Sequence, residues 1–203
     1  MRLQAAIDRV SLEEAVGLAK QLDGKTDILE MGTSLVKDYG NLAIEKLRTV
    51  LTKTDLLVDS KTIDEGAYEF NQAFRHGGDI VTVMGAASID TLNVCYEVAE
   101  KQNKTMMIDL LEVTDEKIKK IQIFPNAIYA LHHSVDRKDS FDATASVEAF
   151  HQKFPEIAGG IDLTQAGLLA DQGLLEVVIV GSKITKAENP LKAVNEFMGA
   201  VHK

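Results

Sequence analysis

Disulfides, linkers and membrane spans are what this sequence has no material for: it holds one cysteine, three prolines and no long apolar run. A single thiol, Cys95, excludes an internal disulfide framework, and its place in the apolar stripe of a helical pattern reads as core packing. No stretch approaches the roughly 20 apolar residues that a spanning helix needs. The opening MRLQAAIDRV carries charge at both ends and lacks the apolar centre of a signal peptide, so a cytoplasmic protein without a membrane partner is expected. Positive charge is also short, 22 Lys and Arg against 31 Asp and Glu for a net −9, which argues against the basic surface that broad nucleic-acid binding requires. No Gly/Ser-rich tract marks a linker, and residues 1–203 read as one domain.

What is present is a rhythm. Short apolar runs recur: RLQAAI (2–7), DILEM (27–31), DLLVD (55–59), DIVTVMG (79–85), TMMIDLL (105–111), AIYALHH (127–133), the weaker FPEIAGG (154–160) and EVVIVG (176–181). Most carry Val or Ile and do not alternate strictly, the pattern of strands covered on both faces of a parallel sheet. Between them lie helical patterns, the first opened by Ser11 with Glu14 three residues on, a capping box. Others are NLAIEKLRTVL, DEGAYEFNQAFRHGG closed by Gly77 and Gly78, and SVEAFHQKF. Strand then helix, eight times, points to a single (β/α)8 TIM barrel. The rival, an open doubly wound sheet, usually puts a Gly-rich turn after its first strand, and AAIDRVS has no glycine there.

In such a barrel the active site gathers at the C-terminal ends of the strands. The polar residues at those ends are Asp8, Glu30, Asp59, Lys61, Asp109, His132 and His133. Strands seven and eight end in Gly159–Gly160 and Gly181–Ser182, where backbone N–H groups of these barrels commonly hold phosphate. Plainer readings exist for each: Asp8 or Asp109 as a helix cap, Lys61 as a counter-ion for Asp59, the glycine pair as a tight turn. Glu30 resists one, because a carboxylate at the end of an apolar strand needs a partner, and a divalent cation is a good one. His132 and His133 are adjacent and point oppositely if extended, so spacing leaves open which faces the site.

The segments LQAAID, ILEMGT (28–33), DSKTIDEG (59–66), GGDIVTVMGAASIDT (77–91), MIDLLEV (107–113), AGGI (158–161) and IVGSKIT (179–185) come in an order that resembles one group. It is that of the 3-hexulose-6-phosphate synthases and 3-keto-L-gulonate-6-phosphate decarboxylases, within the orotidine monophosphate decarboxylase superfamily. The D-x-K-x-x-D element at Asp59, Lys61 and Asp64 is the strongest single signal. The resemblance implies that Glu30 and Asp59 hold Mg²⁺, with Mn²⁺ as the alternative ion. Lys61 would stand beside a sugar-phosphate enediolate, and Asp8 would hydrogen-bond Lys61 or a substrate hydroxyl. It further implies that Asp64 reaches a neighbouring subunit's site in a homodimer and that His132 transfers a proton. Gly159, Gly160, Gly181 and Ser182 would then contact phosphate, and Asp109 and Asp136 would contact the sugar.

Within that group, the decarboxylases carry an arginine at the position of Val135, and the synthases show a turn of the form H-T-G-x-D. His132, His133, Ser134, Val135 and Asp136 are closer to the second, though Arg137–Lys138 stands where the synthases have glutamine. The resemblance therefore implies addition of formaldehyde to D-ribulose 5-phosphate. The alternatives are the decarboxylase reaction and a sugar-phosphate-binding barrel without catalysis.

Overall fold

The computed structural model describes residues 1–132, 134, 136, the backbone of 157–160, and 162–202. Its strands are β1 (Arg2–Ile7), β2 (Ile28–Met31), β3 (Asp55–Thr62), β4 (Ile80–Met84), β5 (Thr105–Asp109), β6 (Ile128–Leu131), β7 (Ile157–Gly160) and β8 (Val177–Val180). Each pairs in parallel with the next, and β8 pairs with β1. The result is a curled parallel sheet with helices between its strands, a TIM-barrel-like arrangement. The expected helix around 146–154, His133, Val135, Arg137, Lys138 and His151 lie outside the described residues.

Strand parity divides the apolar residues into two cores. Leu3, Ala5, Ile7, Leu29, Met31, Leu56 and Val58 face the helices and are buried with them. Ile28, Leu57, Ile80, Met107, Ile128 and Val177 face inward and form a separate small cluster. Burial on both sides is why the runs do not alternate in sequence. Farther along the same inward rows come the polar residues, so the apolar plug below and the polar bowl above are two levels of one parity set.

The helices are α1 (Leu12–Leu22), α2 (Thr33–Tyr39), α3 (Asn41–Arg48), α4 (Gly66–Arg75), α5 (Ile89–Lys101), α6 (Asp115–Ile121), α7 (Leu163–Gln172), α8 (Ser182–Thr185) and α9 (Pro190–Val201). Ser11 caps α1 by accepting the Glu14 N–H. The full reciprocal capping box is found at α7, between Asp162 and Gln165. The α2 helix was not legible, because TSLVKDY is short and bounded by glycines on both sides. Gly77, at φ +115°, follows α4 as expected. Cys95 is buried on α5, where burial first and then the Glu69 charge push its thiol up to about 12, an inert state.

Polar loops at the N-terminal end of the sheet are tied by two carboxylates. Asp23 accepts N–H groups from Thr52, Lys53 and Thr54. Asp79 accepts from the Leu56 N–H, Arg48 and Lys104. This end is stapled, which leaves the opposite end to carry a cavity.

Candidate active site

A cavity of about 550 Å³ opens at the C-terminal ends of the strands. From β1 it receives Gln4, Ala6 and, just past the strand, Asp8; from β2, Glu30; from β3, Leu57, Asp59 and Lys61. Thr82 of β4, Asp109 of β5 and His132 after β6 complete the far wall. Asp59 enters by strand parity with Leu57, whereas Lys61 enters through an irregularity of the same strand.

The third strand is longer than the apolar run suggested, because it continues through the charged residues to Thr62. Its register against β4 shifts between Val58 and Thr62, and Lys61 sits at φ +49°. A bulge of this kind re-aims a side chain beside a site and is held by its surroundings. Here the Lys61 N–H donates to the Thr82 hydroxyl, which itself donates to Asp59 Oδ1 at 2.8 Å. The Thr33 hydroxyl donates to the other Asp59 oxygen.

Lys61 Nζ lies 3.1 Å from Asp59 Oδ2 and 2.8 Å from Asp109 Oδ2. Burial alone would lower the pKa of this ammonium, but the charges of Asp59 and Asp109 outweigh that and hold it above the ordinary lysine range. It is therefore a fixed cation. The same Asp109 oxygen is 2.8 Å from His132 Nδ1. Burial would raise the Asp109 pKa, yet its bonds to His132 and Lys61 keep it low. With Asp109 fixing the imidazole at Nδ1, Nε2 has no bond among the described residues and is the nitrogen left for proton exchange.

Glu30 is the opposite case. Burial first, and then the charge of Asp59, push its carboxyl up to about 8. Its Oε2 accepts from Gln4 Nε2 at 2.6 Å. Two carboxylates that raise each other's cost are a natural seat for a hard cation, and an all-oxygen donor set suits Mg²⁺, which commonly takes one or two carboxylates and completes its shell with water and substrate. Among the described residues, no group of three or more His, Cys, Asp and Glu is placed to hold an ion alone.

Of the two partners expected for Asp8, Lys61 is not one. Asp8 neither caps α1 nor bonds Lys61, whose ammonium is taken by Asp59 and Asp109. Instead its Oδ1 accepts the N–H and hydroxyl of Ser34 at the start of α2. Any side chain at residue 32 would strike the Asp8 carboxylate, so Gly32 of ILEMGT is there to admit it. Asp109, expected to contact the sugar, is the bridge between Lys61 and His132. Asp136 lies exposed in a turn, its N–H donating to Ser134, and is not among the described residues lining the cavity. Asp64 is also exposed and accepts from the Glu65 N–H. Gly159 and Gly160 end β7, paired with Val178 and Ile179 of β8. Gly181 and Ser182 line the cavity where α8 begins, together with Lys183 and, from the end of the neighbouring β1, Arg9.

Sequence reading passed over Gln4, Arg9, Thr33 and Thr82. The strand parity of Gln4 and Thr82 matches that of Asp8 and Asp109, which was a usable signal. Threonine in a strand is otherwise too ordinary to single out.

A family model described as "Orotidine 5'-phosphate decarboxylase / HUMPS family" matches residues 1–197. A "3-hexulose-6-phosphate synthase" of Staphylococcus haemolyticus is 31% identical over 209 residues, covering 99% of this chain and 99% of that protein. A crystal structure of "3-Hexulose-6-Phosphate Synthase" is 30% identical with a TM-score of 0.90, covering 99% of this chain and all of the other. A crystal structure of KGPDC from Streptococcus mutans has a TM-score of 0.88 at 21% identity, covering 99% of this chain and 97% of that one, a likeness of fold.

Proposed function

Since this chain belongs to the orotidine 5'-phosphate decarboxylase / HUMPS family, we propose that it is a Mg²⁺-dependent aldolase of the 3-hexulose-6-phosphate synthase type. It would add formaldehyde reversibly to D-ribulose 5-phosphate, using one closed (β/α)8 barrel domain spanning residues 1–203. It is an enzyme of the lyase class. The observation that carries the reading is the line Asp59–Lys61–Asp109–His132, which puts a fixed cation and a positioned imidazole on one wall of a cavity.

Aldol addition removes a proton from carbon beside a carbonyl and must hold the negative charge that results. His132, oriented by Asp109 through Nδ1, exchanges that proton at Nε2. Lys61, kept charged by two carboxylates, stabilises the enediolate oxygens. Glu30 and Asp59 would hold Mg²⁺, which supplies Lewis-acid stabilisation of the same charge; Mn²⁺ would fit the same oxygen ligands. Gly159, Gly160, Gly181 and Ser182 take the phosphate through backbone N–H groups, with Arg9 and Lys183 adding positive charge at the rim. Phosphate anchoring turns remote binding energy into placement of the reacting carbon. Asp8, tied to Ser34, presents its remaining oxygen to a sugar hydroxyl. Asp64 is exposed between Ile63 and Glu65 and close to the exposed Tyr68, a surface that suits a second copy of the chain.

Purified protein with Mg²⁺ should consume formaldehyde only when ribulose 5-phosphate is present, and EDTA should abolish the reaction. Absence of turnover with the metal supplied removes the synthase assignment. Decarboxylation of 3-keto-L-gulonate 6-phosphate is the second reading, favoured by the likeness in fold to KGPDC. Parallel assays of both substrates separate the two, and inactivity toward both leaves a sugar-phosphate-binding barrel.

A further inference from the structure

One residue of the inner core does not belong there by composition. Gln4 faces inward from β1, opposite Ile28 of β2 and Ile179 of β8. That level of the barrel is otherwise Ile28, Leu57, Met107 and other apolar side chains. Gln4 is 1% exposed, and its two amide ends have unequal fates. Nε2 donates to Glu30 Oε2 at 2.6 Å. Oε1 has no partner, the one such buried side-chain atom found among the described residues. A buried carbonyl oxygen without a donor is costly, and native proteins keep such an atom where something else satisfies it. Gln4 also lines the cavity, one inward position before the Ala6–Glu30 pair of the register.

We propose that Gln4 is a positioning residue of the site, its Nε2–H fixing the Glu30 carboxylate and its Oε1 accepting an O–H that the occupied cavity brings. This rests on the proposed function, which supplies the ion and the sugar phosphate. An amide oxygen is an acceptor only, so the group it awaits is a donor, and the donors an ion and a sugar phosphate bring are O–H groups: a water held by the ion or a hydroxyl of the sugar. Its neighbours in the apolar level offer no donor. The charged carboxylate, the form an ion needs, can only accept, so it holds the Nε2–H end of the amide and leaves Oε1 for another donor. The residue is thus set for an occupied site.

The test replaces Gln4 by Met, which keeps length and removes both polar ends, with Gln4→Leu as a second variant should the first fail to fold. Three measurements are made on the whole chain: melting temperature without metal, Mn²⁺ affinity from the free-ion EPR signal without sugar, and kcat and KM at saturating Mn²⁺. The expected result is a melting temperature unchanged or raised and a Mn²⁺ affinity weaker by about ten- to a hundredfold, the usual effect of losing a group that orients a ligand. A raised KM for the sugar phosphate at saturating ion assigns the awaited O–H to the sugar, and an unchanged KM assigns it to ion-held water. A lowered melting temperature with unchanged Mn²⁺ affinity and kcat overturns the proposal, since Gln4 would then serve the fold alone. Failure of the underlying reading is seen separately, as a wild-type chain that takes up no Mn²⁺ and turns over neither substrate.

Discussion

Buried beside the charge of Asp59, the Glu30 carboxyl titrates near pH 8 instead of its ordinary 4.5. The folded protein therefore keeps a proton that the unfolded chain has released. The stability this lends is fully present below about pH 4.5 and is lost as pH rises through about 8, a difference on the order of a few kcal/mol. Metal-free wild type should melt at progressively lower temperature from pH 5 to pH 8.5, and Glu30→Gln should flatten that slope; equal slopes in the two proteins would contradict the account. Lys61 is charged at every working pH, because Asp59 and Asp109 hold its pKa above the usual range. Lys61→Ala leaves those two carboxylates without their cation, so some stability goes, but turnover should fall by about a hundredfold or more. Circular dichroism and kcat on the same preparation separate the effects. A purely structural ion pair would lower the melting temperature and spare the kcat of the folded fraction.

The third strand does the most for the site, and it does so by breaking its own regularity. A regular strand would carry Lys61 along the ladder. The register shift and positive φ turn it instead toward Asp109 on β5. Thr82 makes this tenable by receiving the Lys61 N–H and passing its own hydrogen to Asp59. Thr82→Val keeps the shape and removes the hydroxyl, leaving a buried N–H unpaired at a cost of about 1–3 kcal/mol. Its melting temperature should fall by several degrees, and kcat should drop about tenfold because both charged groups lose their anchor. A melting loss with unchanged kcat would mean that the bulge holds without it.

At the scale of the molecule, the two ends of the sheet are built for different purposes. Asp23 and Asp79 tie the N-terminal loops with several bonds each. At the other end the cavity gathers Asp8, Glu30, Asp59, Asp109 and Lys61, and the burial of charged Glu30 there is what costs stability. After β3, Ile63 and Tyr68 are 54% and 63% exposed, flanking Asp64 in the sequence. Light scattering of the purified chain should give a dimer, and the double change Ile63→Glu, Tyr68→Glu should give monomers with reduced turnover. Full activity in the monomer would remove Asp64 from the neighbouring site.

Periodicity alone set the alternation of strands and helices, since a parallel sheet buried on both faces needs apolar runs at helix-separated intervals. The residue types at the strand ends likewise marked Asp8, Glu30, Asp59, Lys61, Asp109 and the pair His132–His133, because charge next to a buried strand has few explanations. Partnership was another matter. That Lys61 bonds Asp109 and not Asp8, that Asp109 also carries His132, and that Gln4 bonds Glu30 depend on how the inward rows of separate strands are staggered against one another. Stagger is a property of the assembled sheet, fixed by hydrogen-bond register between strands far apart in the chain, and no single segment encodes it.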